Sequence, residues 1–224
     1  MRAIDVMVRD VVTVRPDTDV AEVVKLLAEH DVSALPVVDV AGNLVGVLSE
    51  ADLIHRAEIG TEKQRPWWLE AVTGASTLAE EFAKSHGKRV GEIMTDGAIS
   101  VAEETPLSEI AAIFERKRIK RVPVVKDGKL VGIVSRSNLI QALASLVGRV
   151  DQHDETDRQI RIELLSRLKD QPWTGFGERN VTVGNRVVHL WGLVGSVAER
   201  KALLALAEGV PGVSRVSDEM IPAY

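Results

Sequence analysis

Apolar and polar positions along this chain occur in a pattern that is written twice. Leu44-Val-Gly-Val-Leu-Ser-Glu-Ala-Asp-Leu-Ile54 returns as Leu130-Val-Gly-Ile-Val-Ser-Arg-Ser-Asn-Leu-Ile140. Each copy reads as a short buried strand, a serine at a strand-to-helix turn, and a helix start. Upstream, Met7 answers to Met94, Thr13 to Ser100, Thr18 to Thr105, and Leu35-Pro-Val-Val38 to Val122-Pro-Val-Val125. The offset is 87 residues and becomes 86 after the turns at Gly42 and Gly128. Solenoids and propellers repeat every ~20–50 residues. Two copies of a longer unit indicate two pseudo-symmetric halves packed on each other.

Within the first half, Val11-Val-Thr-Val14 is predicted to be a strand, ended by Arg15-Pro16-Asp17. Thr18 is the expected helix N-cap, and Val20, Val23, Val24 and Leu27 then mark one helical face. In the second half Thr105 caps, Pro106 opens the helix, and Leu107, Ile110, Ala111 and Phe114 repeat the stripe. Ala34 to Val38, with its counterpart, and Leu44 to Leu48 are further strands. Each half is therefore expected to run strand, helix, strand, strand, helix.

Between the halves, His55 to Arg89 is longer than an ordinary loop and is expected to carry structure. Pro66-Trp-Trp-Leu-Glu-Ala-Val72 reads as a short helix, and Leu78 with Phe82 as another. Trp67 and Trp68 cannot both face one core, so the insert either packs over a sheet with one ring at an interface or forms a lid or dimer contact. After Gly148 the pattern changes. Asp151 to Asp157 reads as an acidic linker into a helix marked by Ile160, Leu164, Leu165 and Leu168. Val181 to Val183, a two-residue turn at Gly184-Asn185, and Arg186 to Val194 make a hairpin. Ser196-Val-Ala-Glu199 is a capping box opening a helix with Leu203, Leu206, Ala207 and Val210 on one face. A last strand is expected near Val213 to Val216. The predicted fold is α+β: two β-α-β-β-α units over residues 1–54 and 90–146, a helical insert over 55–89, a linker over 147–153, and a small α-β-β-α-β domain over 154–224.

Composition narrows the function. With 224 residues, 45% hydrophobic and 27% charged, the chain is expected to be a soluble globular protein with a sizeable core. A net charge of -5 argues against a general nucleic-acid binder. There is no cysteine, which removes disulfides and thiolate metal sites. Asp5, Arg9 and Asp10 interrupt any early apolar run, and none later approaches ~18 residues, so a cytoplasmic location is expected. Catalysis finds no foothold. His30, His55, His86, His153 and His189 make no metal-like spacing, and no Walker loop or G-x-S-x-G is present. Neither an enzyme nor a metal site is expected.

Two features could carry binding chemistry. Ser49-x-x-Asp52 and Ser135-x-x-Asn138 have capping-box spacing, which stabilises a first helical turn by ~1 kcal/mol. The same groups could offer a hydroxyl and acceptor oxygens to a ribose or phosphate at a helix start. The second feature is Arg116-Lys-Arg-Ile-Lys-Arg121, facing in the pattern Glu29-His-Asp-Val-Ser-Ala34 of the first half. As a solvated helix end, these cations suit the macrodipole. As a ligand lip, Lys120 and Arg121 would meet phosphates. Nucleic acid is not expected there, because no aromatic stacking residue is nearby.

The repeated β-α-β-β-α units, each with its proline-opened strand and L-V-G-h-h-S-x-x-D/N-L element, resemble a tandem pair of CBS domains, a Bateman module. The resemblance implies a regulatory module binding AMP, ADP, ATP or S-adenosylmethionine in clefts between its halves, with no further cofactor, and often a disc-like homodimer. Carried over residue by residue, one site would use Val32, Ser33, Ala34, Lys120, Arg121, Ile133, Ser135 and Asn138. The other would use Ile119, Lys120, Arg121, Val47, Ser49 and Asp52. Asn138 in place of Asp52 keeps one acceptor and gains a donor.

Val188-His-Leu-Trp-Gly-Leu-Val-Gly-Ser-Val-Ala-Glu-Arg200 and Val210-Pro-Gly-Val-Ser-Arg-Val216 resemble a BON domain. That family implies binding of phospholipid or envelope components. Acidic residues outnumber basic ones here and no basic amphipathic helix is present, which gives membrane binding little support. Gly192 and Gly195 are read as serving a strand end and a helix approach. The expected whole is an adenine-nucleotide sensor coupled to a BON module by a population shift. The alternative is a dimeric scaffold whose CBS pair is unoccupied and whose BON part binds lipid or protein.

Overall fold

The computed structural model describes residues 1–56, 59–61, 73–146 and 155–223. It divides into two compact units: Val11–Ser100 with Val125–Leu130, and Met1–Asp10 with Val101–Val124 and Val131–Tyr224. In the first unit, β1 (Ala34–Val38) and β2 (Leu44–Ser49) pair antiparallel, and β3 (Thr95–Asp96) adds to β2 at Val47 and Gly46. Helix α2 (Val20–Glu29) lays Val23 and Leu27 on a core formed with Leu35, Val37, Leu48, Val90 and Ile93. Here α3 (Glu50–Leu53) and α5 (Val90–Ile93) are single turns, while α4 (Ala75–His86) lies in the insert. Arg56 is buried beside α4 and donates to the Lys84 carbonyl at 3.1 Å.

The second unit repeats the plan. Strands β4 (Val101–Ala102), β5 (Arg121–Lys126) and β6 (Lys129–Ser135) lie in that order. Helix α6 (Leu107–Lys117) buries Ile110 and Phe114 against Val122, Val124 and Val134. Helix α7 (Arg136–Leu146) follows β6. The sequence repeats and the compact units divide the chain differently. The N-terminal segment with α1 (Ala3–Val6) packs on the second repeat, where Val8 and Ile133 exchange backbone hydrogen bonds of 3.0 and 2.9 Å. The matching segment, α5 and Thr95, packs on the first repeat. Both joints are tight. A Cβ on Gly132 would lie 2.8 Å from Met7 Sδ, and one on Gly46 would lie 2.8 Å from Met94 Sδ. Glycine is what lets each methionine cross its strand.

The C-terminal domain runs α8 (Glu155–Lys169), a 3-10 turn (Glu178–Asn180), β7 (Val181–Gly184), β8 (Val187–Val194), α9 (Val197–Glu208) and β9 (Arg215–Pro222). Strand β8 is central, antiparallel to β7 and parallel to β9. Ile160, Leu164 and Leu168 from α8 and Leu203 and Ala207 from α9 cover one face of this sheet. The Ser196 hydroxyl caps α9 by accepting from the Glu199 amide at 3.1 Å, but the Glu199 carboxylate accepts from the Gly195 amide, one residue before the N-cap, so the expected capping box forms only in its serine half. At Gly192 φ is +117°, and a Cβ would lie 2.5 Å from Asn180 Nδ2, which holds the Trp191 carbonyl. That glycine is required by packing.

Several expectations need correction. Val11 to Val14 is not a strand; the segment joins β1 through one bridge, Val14 to Val37. Thr18 does not cap α2, whose N-cap is Asp19; its hydroxyl accepts instead from the Arg15 amide, closing the turn at Pro16. Thr105 does the same for the Ala102 amide, and Pro106 is the N-cap of α6 rather than its first helical residue. In both copies a short turn competes for the hydroxyl and wins. The hairpin turn is Asn185-Arg186, both at positive φ, one residue later than expected. Asp157 belongs to α8 and is buried, its carboxylate taking the Asn185 and Arg186 amides at 2.8 and 2.6 Å. The last strand is Arg215–Pro222, longer and later than Val213 to Val216. The helix expected over Pro66 to Val72, with Trp67 and Trp68, lies outside the described residues.

Candidate functional site

The candidate residues fall into two sets, one in each compact unit. In the first unit Val32, Ser33 and Ala34 lead into β1, all half-buried. Ala34 pairs with Ser49 across the β1–β2 ladder, and the Ser33 carbonyl accepts from the Glu50 amide at 3.0 Å. Val47 sits mid-strand on β2, opposite Thr95. The capping box is formed. The Asp52 carboxylate takes the Ser49 amide at 2.8 Å and the Ser49 hydroxyl at 2.7 Å through one oxygen. Its other oxygen receives the Thr95 hydroxyl at 3.3 Å. Val32, Ser33, Ala34, Ser49 and Asp52 are thus gathered at one end of the β1–β2 ladder.

The second set repeats this arrangement. Ile119 and Lys120 follow the left-handed C-cap of α6 at Arg118, and Arg121 opens β5. The Lys120 carbonyl accepts from the Arg136 amide at 3.1 Å, the counterpart of Ser33 and Glu50. Asn138 Oδ1 takes the Ser135 amide at 2.9 Å and its hydroxyl at 2.7 Å. Ser135 also meets the Ser137 hydroxyl at 2.7 Å. Unlike Asp52, Asn138 is buried, 4% exposed. Lys120 is exposed, while Arg121, Ile133 and Ser135 are half-buried.

Sequence reasoning missed three contributors. Arg136 donates Nε to the Ile119 carbonyl at 3.1 Å and Nη2 to the Phe114 carbonyl at 3.2 Å, so a further cation closes the C-terminal end of α6. Its signal was present, since it directly follows Ser135 in the repeated string. Thr95 reaches Asp52 only through the exchanged segment, which no local pattern announces. Arg161, in α8, is the third. Its guanidinium is buried and donates to the main-chain carbonyls of Val181, Met7 and Glu178 at 3.1, 3.2 and 2.9 Å. Burial pushes its pKa down to about 10, partly offset by the nearby Glu178 carboxylate.

A CBS-domain model matches residues 3–58 and 90–145, together half of the chain. The chain belongs to the CBS-domain family. A BON-domain model matches residues 156–221, so the CBS pair is followed by a C-terminal BON domain. The CBS pair is 34% identical over 139 residues to the CBS domain-containing protein CBSX1, chloroplastic, of Arabidopsis thaliana, covering 59% of each chain. It is 35% identical over 135 residues to CBSX2 of the same plant, 58% of this chain and 57% of that one. This chain therefore spans under two thirds of the length of both relatives. A crystal structure of CBSX2 in complex with AMP matches with a TM-score of 0.56 and 32% identity, covering 64% of this chain and 96% of that one. Among the described residues, no helix is long and apolar enough to cross a membrane, and no group of His, Asp and Glu could hold a metal ion.

Proposed function

We propose that this chain is a regulatory sensor of an adenine nucleotide, bound by its CBS pair and read out through its BON domain. The observation that carries this reading is the likeness of the CBS pair to CBSX2, which has been solved with AMP. The proposed contacts are Val32, Ser33, Ala34, Val47, Ser49 and Asp52 in one unit and Ile119, Lys120, Arg121, Ile133, Ser135 and Asn138 in the other. Lys120 and Arg121 supply charge-assisted bonds to phosphate at ~1.5–3 kcal/mol each. AMP, ADP and ATP are the proposed ligands, with S-adenosylmethionine a fourth to test. The role is regulatory rather than catalytic.

A homodimer fits exposed apolar side chains on the repeat helices, Ile140 and Leu143 on α7 and Val24 on α2. Thermal unfolding of the full chain with each of the four ligands tests the reading. A ligand at 100 times its dissociation constant adds ~2.7 kcal/mol to stability. An unchanged midpoint with all four would favour the dimeric scaffold instead. Flotation of the full chain with anionic liposomes separates the lipid alternative: a chain left at the bottom of the gradient at low salt removes it.

A further inference from the structure

We propose that the N-terminal strap, Met1–Asp10, is the element through which the candidate nucleotide strand β6 governs the BON domain, with Arg161 as the positioning residue that latches it. This rests on the nucleotide reading above. On one side the strap is hydrogen-bonded through Val8 to Ile133, itself a proposed nucleotide contact, at 3.0 and 2.9 Å. Met7 lies across Gly132 so closely that a Cβ there would meet both its sulfur and the Val8 carbonyl, at 2.8 and 3.0 Å.

On the other side, three BON residues hold the same ten-residue stretch. Arg161 donates to the Met7 carbonyl. The Glu178 carboxylate receives the amides of Arg9 and Asp10. Arg158 grips Asp5 at 3.0 and 3.2 Å. Arg161 is 3% exposed and stays charged at neutral pH. Its guanidinium is compensated by main-chain carbonyls, so displacing the strap takes one of those partners from a buried cation. The strap is therefore docked or released as a whole. A ligand that shifts Ile133 changes what Val8 and Met7 present to Arg161. By linkage, the latch must also change the affinity for that ligand.

Amide hydrogen exchange on the 224-residue chain, with AMP as probe, tests this in wild type, Arg161→Met and Glu178→Ala. The second variant keeps the buried arginine and covers the case in which the first fails to fold. In the wild type AMP alters exchange at Val8 and Ile133 and also across Val181 to Val194. In the variants the Ile133 response persists, the remote response falls by more than half, and the AMP dissociation constant moves by about fivefold or more. A response at Ile133 with none over Val181 to Val194 in the wild type overturns the strap as coupler and leaves the nucleotide reading standing. So does a remote response unchanged in both variants. Absence of any AMP binding to the wild type overturns both.

Discussion

The two halves of the CBS pair share a backbone and differ in chemistry. Serine closes β2 and β6 alike, the residue three later returns a bond to its amide, and the carbonyl before the proline strand is capped by the first helical amide. Around this common frame the first copy places Asp52 and Glu50, joined by Thr95 from the exchanged segment, and the second places Asn138, Ser137 and Arg136. Ahead of the proline strand, Glu29-His30-Asp31 of the first copy corresponds in sequence to Arg116-Lys117-Arg118 of the second. Duplication preserved the capped turn, while the cations ahead of the proline strand are concentrated in the second copy. The same cap is therefore made with different side chains, and each copy can be altered toward the other.

The deepest difference between the copies is in their cores. Phe114 on α6 and Leu27 on α2 occupy matching positions, and both are buried. Phe114→Ala should cost about 3–5 kcal/mol, and Leu27→Ala, at a slightly more open position, should fall toward the lower end of about 2–5. Denaturant unfolding checks this, and equal losses would mean that the two cores are not distinguished by this position. Next are the crossings at the two glycines. Gly132→Ala and Gly46→Ala each force a methyl against a methionine sulfur and a backbone carbonyl, at a cost of about 1–3 kcal/mol. A neutral result in either copy would show that the segment crossing there is not closely seated.

Exchanging the two capping acceptors has a smaller and unequal effect. Asn138→Asp puts a carboxylate at a buried position and should cost about 1–3 kcal/mol, whereas Asp52→Asn, at a more open position, should cost under about 1. Melting of both variants at pH 7 would reveal the asymmetry. The least effect is expected in acid. Hydrogen bonds from Asn43 hold Asp39 below its usual range, and those from the Arg89 and Lys88 amides hold Glu92 below its own. A depressed folded-state pKa gives stability that is present above the ordinary values of 3.8 and 4.5 and is lost as pH falls through the folded ones. The melting difference between wild type and Asp39→Asn should shrink below pH 3.8. Lys126 stands at the matching place in the second repeat, so Lys126→Gln should show no such trend.

Much of this architecture is legible in the chain. Period-3.6 apolar stripes mark α2, α6 and α9 because each buries one face, and short apolar runs mark β1 and β2. The duplicated string places Ser49, Asp52, Ser135 and Asn138 at equivalent turns. The exchange of Met7 and Met94 is not legible, because pairing of Val8 with Ile133 and Thr95 with Val47 depends on tertiary proximity rather than local pattern. Thr18 and Thr105 misled because a threonine before a helix can serve a preceding turn as readily as the helix. Arg161 was missed. With Asp157 read as linker, only Ile160, Leu164, Leu165 and Leu168 marked the helix, and the buried contact of Arg161 with the Met7 carbonyl depends on a partner far away in sequence.

Isothermal titration of the full chain with AMP, beside the Lys120→Ala, Arg121→Ala double variant, addresses the central claim most directly. The account predicts saturable binding that weakens by about 10²–10⁴-fold when both cations are removed, from ~1.5–3 kcal/mol for each charge-assisted bond. Binding of equal strength in the two proteins, or none in either, would contradict it.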